Sequence, residues 1–448
     1  MKKVGIIGAG LSSLYSACFL AKEGYEVEVF EKNSMAGGRS QFFKKDGFTF
    51  DMGPSWYWMP ELVDGLFEDL GEKRSDYFNL TRLDPAYQVL WKDRTATQIP
   101  ASKEELLKLF DSFETNGGDK LLSFLKDAQT KYEIATESFL ENPGLKIGEI
   151  AKLSVLKNAL KLDVFKSVEK DVSKRFTSEK ARSILNFPVL FLGEMPGNIP
   201  SLYTLMNYAD LELGTWYPDG GMHALAAALE KIALKEGVKF HFNVPIEEVA
   251  IEDGRANGLR TKEGTHAFDA IVGGADYNHI EQNLIPERYR RYSPEYWDKR
   301  KMAPSSLIFY LGINKEIPGL DHHNLFFDED LIDHGKEIYD NPKWPTKPLF
   351  YACAPSKTDK KVAPEGQENI FILMPLAPNL EDSDETRETY FDTIIDRMED
   401  RCGTSIRENI VYKRSFCVSD FKSEYNSFKG NAYGLANTLF QTANLKPK

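Results

Sequence analysis

KVGIIGAGLSSLYSACFLAKEGYEVEVFE, residues 3–31, is the stretch of the sequence that decides the fold. It opens with KVGIIG, a short apolar run typical of a buried strand, and a glycine-rich turn follows. Apolar residues then recur at helical spacing at Leu14, Ala17, Cys18 and Ala21. The alternating EVEVFE predicts a second strand that ends on Glu31. Together these patterns predict one βαβ unit that binds a dinucleotide.

The turn of this unit carries residues suited to a pyrophosphate. Gly8 makes the tight turn, and Gly10 lets the backbone approach a phosphate at the positive end of the helix. Glu31 is placed to accept hydrogen bonds from an adenosine ribose, and Ser13 stands where a third glycine is usual. The candidate cofactor-binding residues here are Gly8, Gly10, Leu11, Ser12, Ser13, Glu31 and Lys32.

A second glycine motif follows the βαβ unit. Residues 32–43 read KNSMAGGRSQFF, and the paired glycines let the backbone pass close to a ligand. Arg39 adds a forked donor for phosphate or ribose oxygens. A nicotinamide-binding unit does not need this extension, whereas it resembles that of amine-oxidase-like flavoproteins. The resemblance favours FAD over NAD, disfavours a soluble NAD-dependent dehydrogenase, and adds Gly38, Arg39 and Ser40 to the candidates.

Further blocks extend the resemblance over essentially the whole chain. GFTFDMGPSWYWMP at 47–60 is similar to the GFxFDxGP block of the carotenoid desaturases, specifically the bacterial phytoene desaturase type. FLGEMPGNIPSLYTLMNYADLELGTWYPDGGMHAL at 191–225 ends in a WYPxGGM signature, and GGADYNHIEQNLIP at 273–286 resembles another family block. The stretches PLFYACAPSKTDKKVAPEGQENIFILMPLAP at 348–378 and KGNAYGLANTLFQTANLKPK at 429–448 match the C-terminal half.

The resemblance implies an α/β fold in which a Rossmann-like FAD-binding domain with a β-meander is interleaved with an α+β substrate domain. The FAD-binding domain would comprise 1–75 and 216–290, with 411–448 returning to it incompletely. Within it, alternating residues at 238–244, 247–252, 256–261 and 266–272 predict the strands of a small antiparallel meander. The substrate domain, which would face the membrane, would comprise 76–215 and 291–410. The resemblance also places Gly53, Pro54, Ser55, Val249 and Asp276 at the cofactor. It assigns no catalytic base.

The chain departs from the family at its C-terminus. Family members continue for several tens of residues, and that tail resembles a second flavin contact. Here the sequence stops at LKPK, so we expect an incomplete flavin site from a truncated chain.

Composition excludes several classes of protein. The 448 residues carry 56 Lys and Arg against 68 Asp and Glu, a net charge of −12 that argues against nucleic-acid binding. The four cysteines are scattered without metal-ligand spacing, which predicts reduced thiols in the cytoplasm and no metal site. Because the first predicted strand begins at residue 3, we expect no signal peptide, and no run of about eighteen apolar residues is present.

Residues 145–180 form a basic stretch with apolar residues at helical spacing, among them Leu153, Leu160 and Val168. From the residues alone, an ordinary helix packed on its domain is favoured over one lying on an anionic membrane. The resemblance reverses that preference, because a carotenoid is dissolved in lipid. It implies a peripheral protein on the inner face of the cell membrane.

The chemistry expected of such a protein belongs mainly to the cofactor. Rings in Ser55–Met59 would line either a hydrophobic tunnel or the core. His223 and His279 are more typical of structural than of catalytic histidines, and His322 with His323 is interpreted as loop.

The leading hypothesis is an FAD-dependent oxidoreductase that converts phytoene stepwise towards lycopene. The alternatives are a related carotenoid desaturase, a carotene isomerase, and a flavin-free inactive remnant. Quinone and oxygen are both candidate electron acceptors, and self-assembly into a homo-oligomer is compatible with the sequence.

Overall fold

The computed structural model describes residues 1–137, 166–438, 441 and 446–447. Its strands are, in chain order, Lys3–Ile7 (β1), Glu26–Glu31 (β2), Phe42–Lys45 (β3), Phe48–Asp51 (β4), Leu80–Arg82 (β5), Tyr87–Trp91 (β6), Ala96–Ile99 (β7), Trp216–Pro218 (β8), Lys239–Phe242 (β9), Glu248–Glu252 (β10), Arg255–Thr261 (β11), Gly264–Ala267 (β12), Ala270–Gly273 (β13), Ser305–Ile313 (β14), His323–Phe327 (β15), Phe350–Cys353 (β16), Glu368–Leu376 (β17) and Ile410–Phe416 (β18).

The main α-helices in the described part are Leu11–Lys22, Pro60–Asp69, Lys103–Phe113, Gly117–Ala135, Val168–Arg175, Glu179–Asn186, Leu205–Leu211, Ala224–Lys235, Leu331–Tyr339, Asp384–Cys402 and Val418–Tyr425. None of the helices that the structure describes is both long enough and apolar enough to cross a membrane.

A four-stranded parallel sheet contains the predicted βαβ unit. Its order is β13-β1-β2-β9, and β1 lies between β2 and β13. The apolar residues of β1 and β2 are buried because helices pack on one face of the sheet and the β10–β12 segment packs on the other. Helix Leu11–Lys22 packs against helix Ala224–Lys235, and their apolar residues share one core with the sheet. The βαβ unit predicted for residues 3–31 is confirmed.

The meander is smaller than its alternating pattern indicates. Only β10, β11 and β12 form an antiparallel sheet, whereas β9 and β13 pair in parallel with β2 and β1. The prediction that residues 238–244 and 266–272 belong to the meander is therefore wrong for 238–244 and for 268–272, whereas His266 and Ala267 lie in β12 as expected. Alternation indicates a strand but does not say which neighbour it pairs with, and that choice depends on long-range packing.

The largest sheet joins distant parts of the chain in the order β18-β14-β17-β16-β15-β6-β7. Strands β15 and β6 pair in parallel, and the other neighbours are antiparallel. β14 is buried along all nine residues, since it lies between β17 and β18 inside the core. The predicted domain limit at 411 falls inside β18, which pairs with β14.

The basic stretch lies partly outside the described residues, because 145–165 are not described. In its described part, Val168 and Val172 are fully buried in the hydrophobic core. Helix Val168–Arg175 therefore packs its apolar face on the protein in the ordinary way.

Candidate active site

A polar pocket of about 450 Å³ opens where β1, β2 and β13 end. Carboxyl ends of parallel strands meet at one edge of a sheet, and ligands of α/β folds bind there. The pocket is lined by Ile7, Gly8, Gly10, Leu11, Ser12, Phe30, Glu31, Lys32, Asn33, Gly37, Gly38, Arg39, Ser40, Pro245, Ile246, Gly274, Ala275, Asp276, His279, Leu284, Glu424, Tyr425 and Asn426.

The helix that starts at Leu11 presents its N-terminus to this pocket. Gly10 precedes the helix, and no side chain caps its first turn. A Cβ placed on Gly10 would meet no atom within 4 Å, so the pocket is open beside it. The Gly37 N–H donates to the Ala9 carbonyl at 2.8 Å, which brings the two glycine motifs side by side. Free N–H groups at a helix N-terminus attract anions.

Glu31 is buried at the end of β2, where its carboxylate organises the loops around it. One oxygen accepts the Ala9 N–H and the other accepts the Asn33 N–H, each at 2.8 Å. The carboxylate therefore ties the end of β2 to the first glycine turn. Its remaining lone pairs face the pocket that it lines.

Arg39 is half-buried beside this pocket. One guanidinium nitrogen, Nη2, donates to the Ser427 Oγ at 2.7 Å. The buried Nε has no hydrogen-bond partner among the described residues. Burial lowers the pKa of Arg39, while the Asp276 carboxylate opposes that shift. A buried donor without an acceptor costs free energy, so this atom points to a ligand that the pocket is built to receive.

A second, apolar cavity of about 620 Å³ adjoins the polar pocket. Its walls are mainly aromatic rings, leucines, isoleucines and methionines, including Trp56, Trp58, Met206, Phe327 and Tyr433. Arg39 and Tyr425 line both spaces, so the two meet at these side chains. A ligand in the apolar cavity would therefore reach the end of whatever fills the polar pocket.

Comparison with known proteins identifies this arrangement. Residues 11–448 match the family model described as flavin containing amine oxidoreductase. The chain belongs to that family. A carotenoid 3,4-desaturase of Haloarcula japonica is 37% identical over 99% of this chain and 90% of its own length. A 4,4'-diapophytoene desaturase of Staphylococcus haemolyticus is 32% identical over 99% and 91%. A zeta-carotene-forming phytoene desaturase of Myxococcus xanthus is 29% identical over 100% and 86%.

Solved structures agree on the fold of this flavoenzyme. An oxidoreductase from Methanosarcina mazei gives a TM-score of 0.60 at 16% identity, over 93% of this chain and 88% of that one. A putrescine oxidase gives 0.58 at 15% identity, over 97% and 87%. The expected α/β fold, the enzymatic class and FAD as cofactor are confirmed.

The polar pocket fits FAD on three counts. The open space beside Gly10 accommodates a pyrophosphate at the helix N-terminus. Glu31 supplies a carboxylate at the position of an adenosine ribose. The Arg39 Nε is a buried donor that still needs an acceptor. These three residues and the flanking loops would hold the cofactor.

The structure brings ten of the predicted cofactor residues together around this pocket. They are Gly8, Gly10, Leu11, Ser12, Glu31, Lys32, Gly38, Arg39, Ser40 and Asp276. Their contact with FAD stays a prediction.

The other five predicted residues lie elsewhere. Ser13 is buried beneath the turn, where a Cβ on Gly274 would collide with its hydroxyl. Val249 is buried in a core cluster and does not line the pocket. Gly53, Pro54 and Ser55 line the apolar cavity instead.

Gly53 has a packing role that motif comparison does not reveal. A Cβ at this position would collide with the Arg39 carbonyl oxygen. The chain can thus pass behind Arg39 only because residue 53 lacks a side chain. We interpret Gly53 as a positioning residue that leaves room for the Arg39 backbone.

Sequence reasoning missed the C-terminal wall of the pocket, formed by Glu424, Tyr425 and Asn426. Asn426 holds the wall against the first motif, because its Oδ1 accepts the Lys32 Nζ at 3.2 Å. Asp276 accepts the Phe428 N–H at 3.4 Å. No local motif marks 424–426, and only the fold shows their position.

The candidate histidines have structural partners. His279 contacts Asn283 through Nδ1 and Asn426 through Nε2, each at 3.1 Å, and burial lowers its pKa. His223 lies 2.8 Å from the Asp51 carboxylate and stacks on Phe42. Both arrangements support the structural interpretation.

The aromatic run divides between the two expected environments. Trp56 and Trp58 line the apolar cavity, whereas Tyr57 is buried in the core beside Phe78. The loop interpretation is confirmed for His322, which lies in a bend before β15, and is wrong for His323, which begins that strand. Both residues are buried.

Proposed function

We propose that this flavoenzyme is a carotenoid desaturase that oxidises phytoene stepwise towards lycopene. The observation that carries the proposal is the apolar cavity that meets the FAD pocket at Arg39 and Tyr425. Such a cavity suits a hydrocarbon without polar handles. The curated relatives named as carotenoid desaturases support the same substrate class.

Each desaturation removes two hydrogens from one CH–CH unit, one with its electron pair and one as a proton. Bound FAD supplies the two-electron acceptor. The chain's own residues bind the polyene, orient it and exclude water. Trp56 and Trp58 give the cavity electron-rich faces, which favour positive charge that develops on an allylic carbon.

Trp56 and Trp58 form an aromatic wall of the cavity, and the hydrogen bonds that hold Trp58 in place lie outside the cavity. The Trp58 Nε1–H donates to the Thr215 Oγ1 at 2.8 Å, and Thr215 donates to Asp210 at 3.3 Å. Tyr87 also donates to Asp210, at 2.9 Å. The indole face is therefore held in place while the cavity itself stays apolar.

A second candidate is 3,4-desaturation of a carotenoid that is already conjugated. The 37% identity to the Haloarcula carotenoid 3,4-desaturase favours it. The same cavity would accept either substrate, because both are long hydrocarbons. A C30 substrate is supported by the Staphylococcus relative.

The test is turnover by the purified chain in liposomes with added FAD. Phytoene, diapophytoene and lycopene are offered separately, and products are resolved by chromatography with absorption spectra. We expect phytoene products with progressively longer chromophores. Conversion of lycopene alone would establish the second candidate, and spectral change without longer conjugation would indicate isomerisation. No turnover of any of the three would overturn the proposal, and a protein that retains no flavin would be the inactive remnant.

We also propose that the enzyme works at the inner face of the cell membrane and passes electrons to quinone or oxygen. The solubility of the substrate supports this placement, since a C40 hydrocarbon resides in lipid. Co-sedimentation with vesicles, with and without anionic lipid, tests the first part. Oxygen uptake compared with quinone reduction during turnover tests the second. A protein that stays in the supernatant with every vesicle would contradict the placement.

A further inference from the structure

We infer that His322, His323 and Cys353 form a binding site for a divalent zinc-like cation. This inference is independent of the substrate proposed above. The three side chains are buried, and one ligand atom from each lies within 4.8 Å of the other two. Two imidazoles and one thiolate are a donor set that Zn²⁺ prefers over harder cations.

The fold brings these residues together from two parts of the chain. His323 on β15 and Cys353 on β16 are directly opposite each other in an antiparallel pair. Cross-strand partners project to the same face of a sheet, so their side chains are neighbours. His322 precedes β15, and its ring meets the ring of His323 at a centroid distance of 4.4 Å.

The two imidazoles share one arrangement, in which a neighbouring hydroxyl contacts one ring nitrogen. The His322 Nδ1 lies 2.7 Å from the Thr358 hydroxyl, and the His323 Nδ1 lies 2.6 Å from the Tyr351 hydroxyl. In both rings the buried Nε2 has no hydrogen-bond partner among the described residues. Histidines that bind metals typically hold one nitrogen by a hydrogen bond and offer the other to the ion.

The surroundings provide a fourth position and charge balance. A cavity of about 20 Å³, large enough for one water, is lined by His322, Cys353 and Asp51. None of the described residues that line it is a lysine or an arginine. A Cys353 thiolate and the Asp51 carboxylate together offset the two charges of the cation.

Binding of a cation would release the thiol proton of Cys353, because the thiolate is the form that binds metals. A bound cation would draw the three ligand atoms to the roughly 3.5 Å separations of a tetrahedral site.

Such a site would brace the wall of the apolar cavity. Trp56, which lines that cavity, stacks on His323 with ring centroids 4.0 Å apart. Tyr351 lines the cavity as well. A cation at His323 would thus fix both rings, and its effect would appear first in stability.

The test measures metal content of the full chain with FAD after chelator treatment and dialysis against Zn²⁺. We expect one equivalent of zinc per chain and a higher Tm with zinc than without. Cys353→Ser and His323→Asn should each weaken binding at least tenfold. The matched control is Cys402→Ser, because Cys402 is a half-buried cysteine outside the cluster. This variant should retain the metal.

Cobalt substitution decides the case if a cluster variant fails to fold. The unchanged chain loaded with Co²⁺ should show a thiolate-to-cobalt charge-transfer band in the near ultraviolet, measured as a difference spectrum against the cobalt-free protein. Absence of bound zinc together with absence of that band would overturn the inference. Equal zinc binding by folded Cys353→Ser and the unchanged chain would overturn it too.

Discussion

The polar pocket and the apolar cavity share two side chains but are built in different ways. The pocket draws mainly on three short motifs, at 8–12, 31–40 and 274–276, and five of the described residues that line it are glycines, which offer only backbone. The cavity takes its walls from segments spread between Arg39 and Tyr433. A surface made of backbone needs particular residues at fixed spacing, whereas an apolar wall accepts many residues of suitable size. The first kind of site can therefore be predicted from a sequence, and the second kind cannot.

Blocking the cavity should separate the two regions most strongly. Ala432 lines the cavity, and a large ring there should displace the polyene from the junction. We expect Ala432→Trp to lower desaturation about 100-fold, because small misplacements of a substrate cost that much. FAD content should not change. The control is Ala227→Trp at an exposed position of helix Ala224–Lys235, and its desaturation rate should match that of the unchanged chain. Loss of FAD in Ala432→Trp would contradict the separation of the two regions.

Arg39 tests the junction, because it belongs to both regions. Arg39→Ala removes a buried charged donor, and such bonds contribute about 1.5–3 kcal/mol. We expect the Kd for FAD to rise roughly 10- to 150-fold by fluorescence titration. Ser427→Ala removes only the partner of Nη2 and should have a smaller effect. Unchanged FAD affinity in Arg39→Ala would show that the unpartnered Nε serves another ligand.

Gly10 tests the pocket alone. A methyl group there meets no protein atom, so Gly10→Ala should fold normally and intrude only on the cofactor. Crowding of this kind costs about 1–3 kcal/mol, which predicts a Kd for FAD about 5- to 150-fold higher. The matched control is Gly65→Ala in helix Pro60–Asp69. A Cβ at Gly65 also meets nothing within 4 Å, but this position is outside the pocket. Equal FAD affinity in the two variants would mean that the pyrophosphate does not pass Gly10.

Asp210, behind the aromatic wall, gives the most specific effect, which is a change of stability with pH. Burial raises its pKa to about 7 from 3.8. Asp210 therefore ionises at lower pH in the unfolded chain than in the folded protein. As pH rises from 4 to 7, the free energy of unfolding falls by up to about 4 kcal/mol and then levels off. Asp210→Asn should lose this component. In thermal melts, its Tm relative to the unchanged chain should rise between pH 5 and pH 8.

Asp219→Asn, at an exposed position, is the control for that series and should show no such pH-dependent difference. A constant difference in Tm between Asp210→Asn and the unchanged chain would sink the assignment of the pH effect to Asp210.

Local patterns carried the predictions that succeeded. The apolar run of β1, the helical spacing after Leu11 and the alternation of β2 each predict their element without help from the rest of the chain. The glycine turn works in the same way, because backbone conformation depends on neighbouring residues. Local patterns do not determine which strands pair, and alternation therefore wrongly predicts that β9 and β13 belong to the meander.

Contacts over long sequence distances decided the rest. His323 and Cys353 lie together only because β15 pairs with β16, and Arg39 meets Ser427 only because 424–428 folds back over the second glycine motif. Gly53 shows the same limit, since its role depends on the Arg39 carbonyl fourteen positions away. The sequence by itself determined the βαβ unit, the cofactor class and the family, because short-range spacing encodes backbone geometry. The tertiary structure alone decided the cavity, the junction and the histidine–cysteine cluster, because burial and side-chain proximity arise only when distant segments pack.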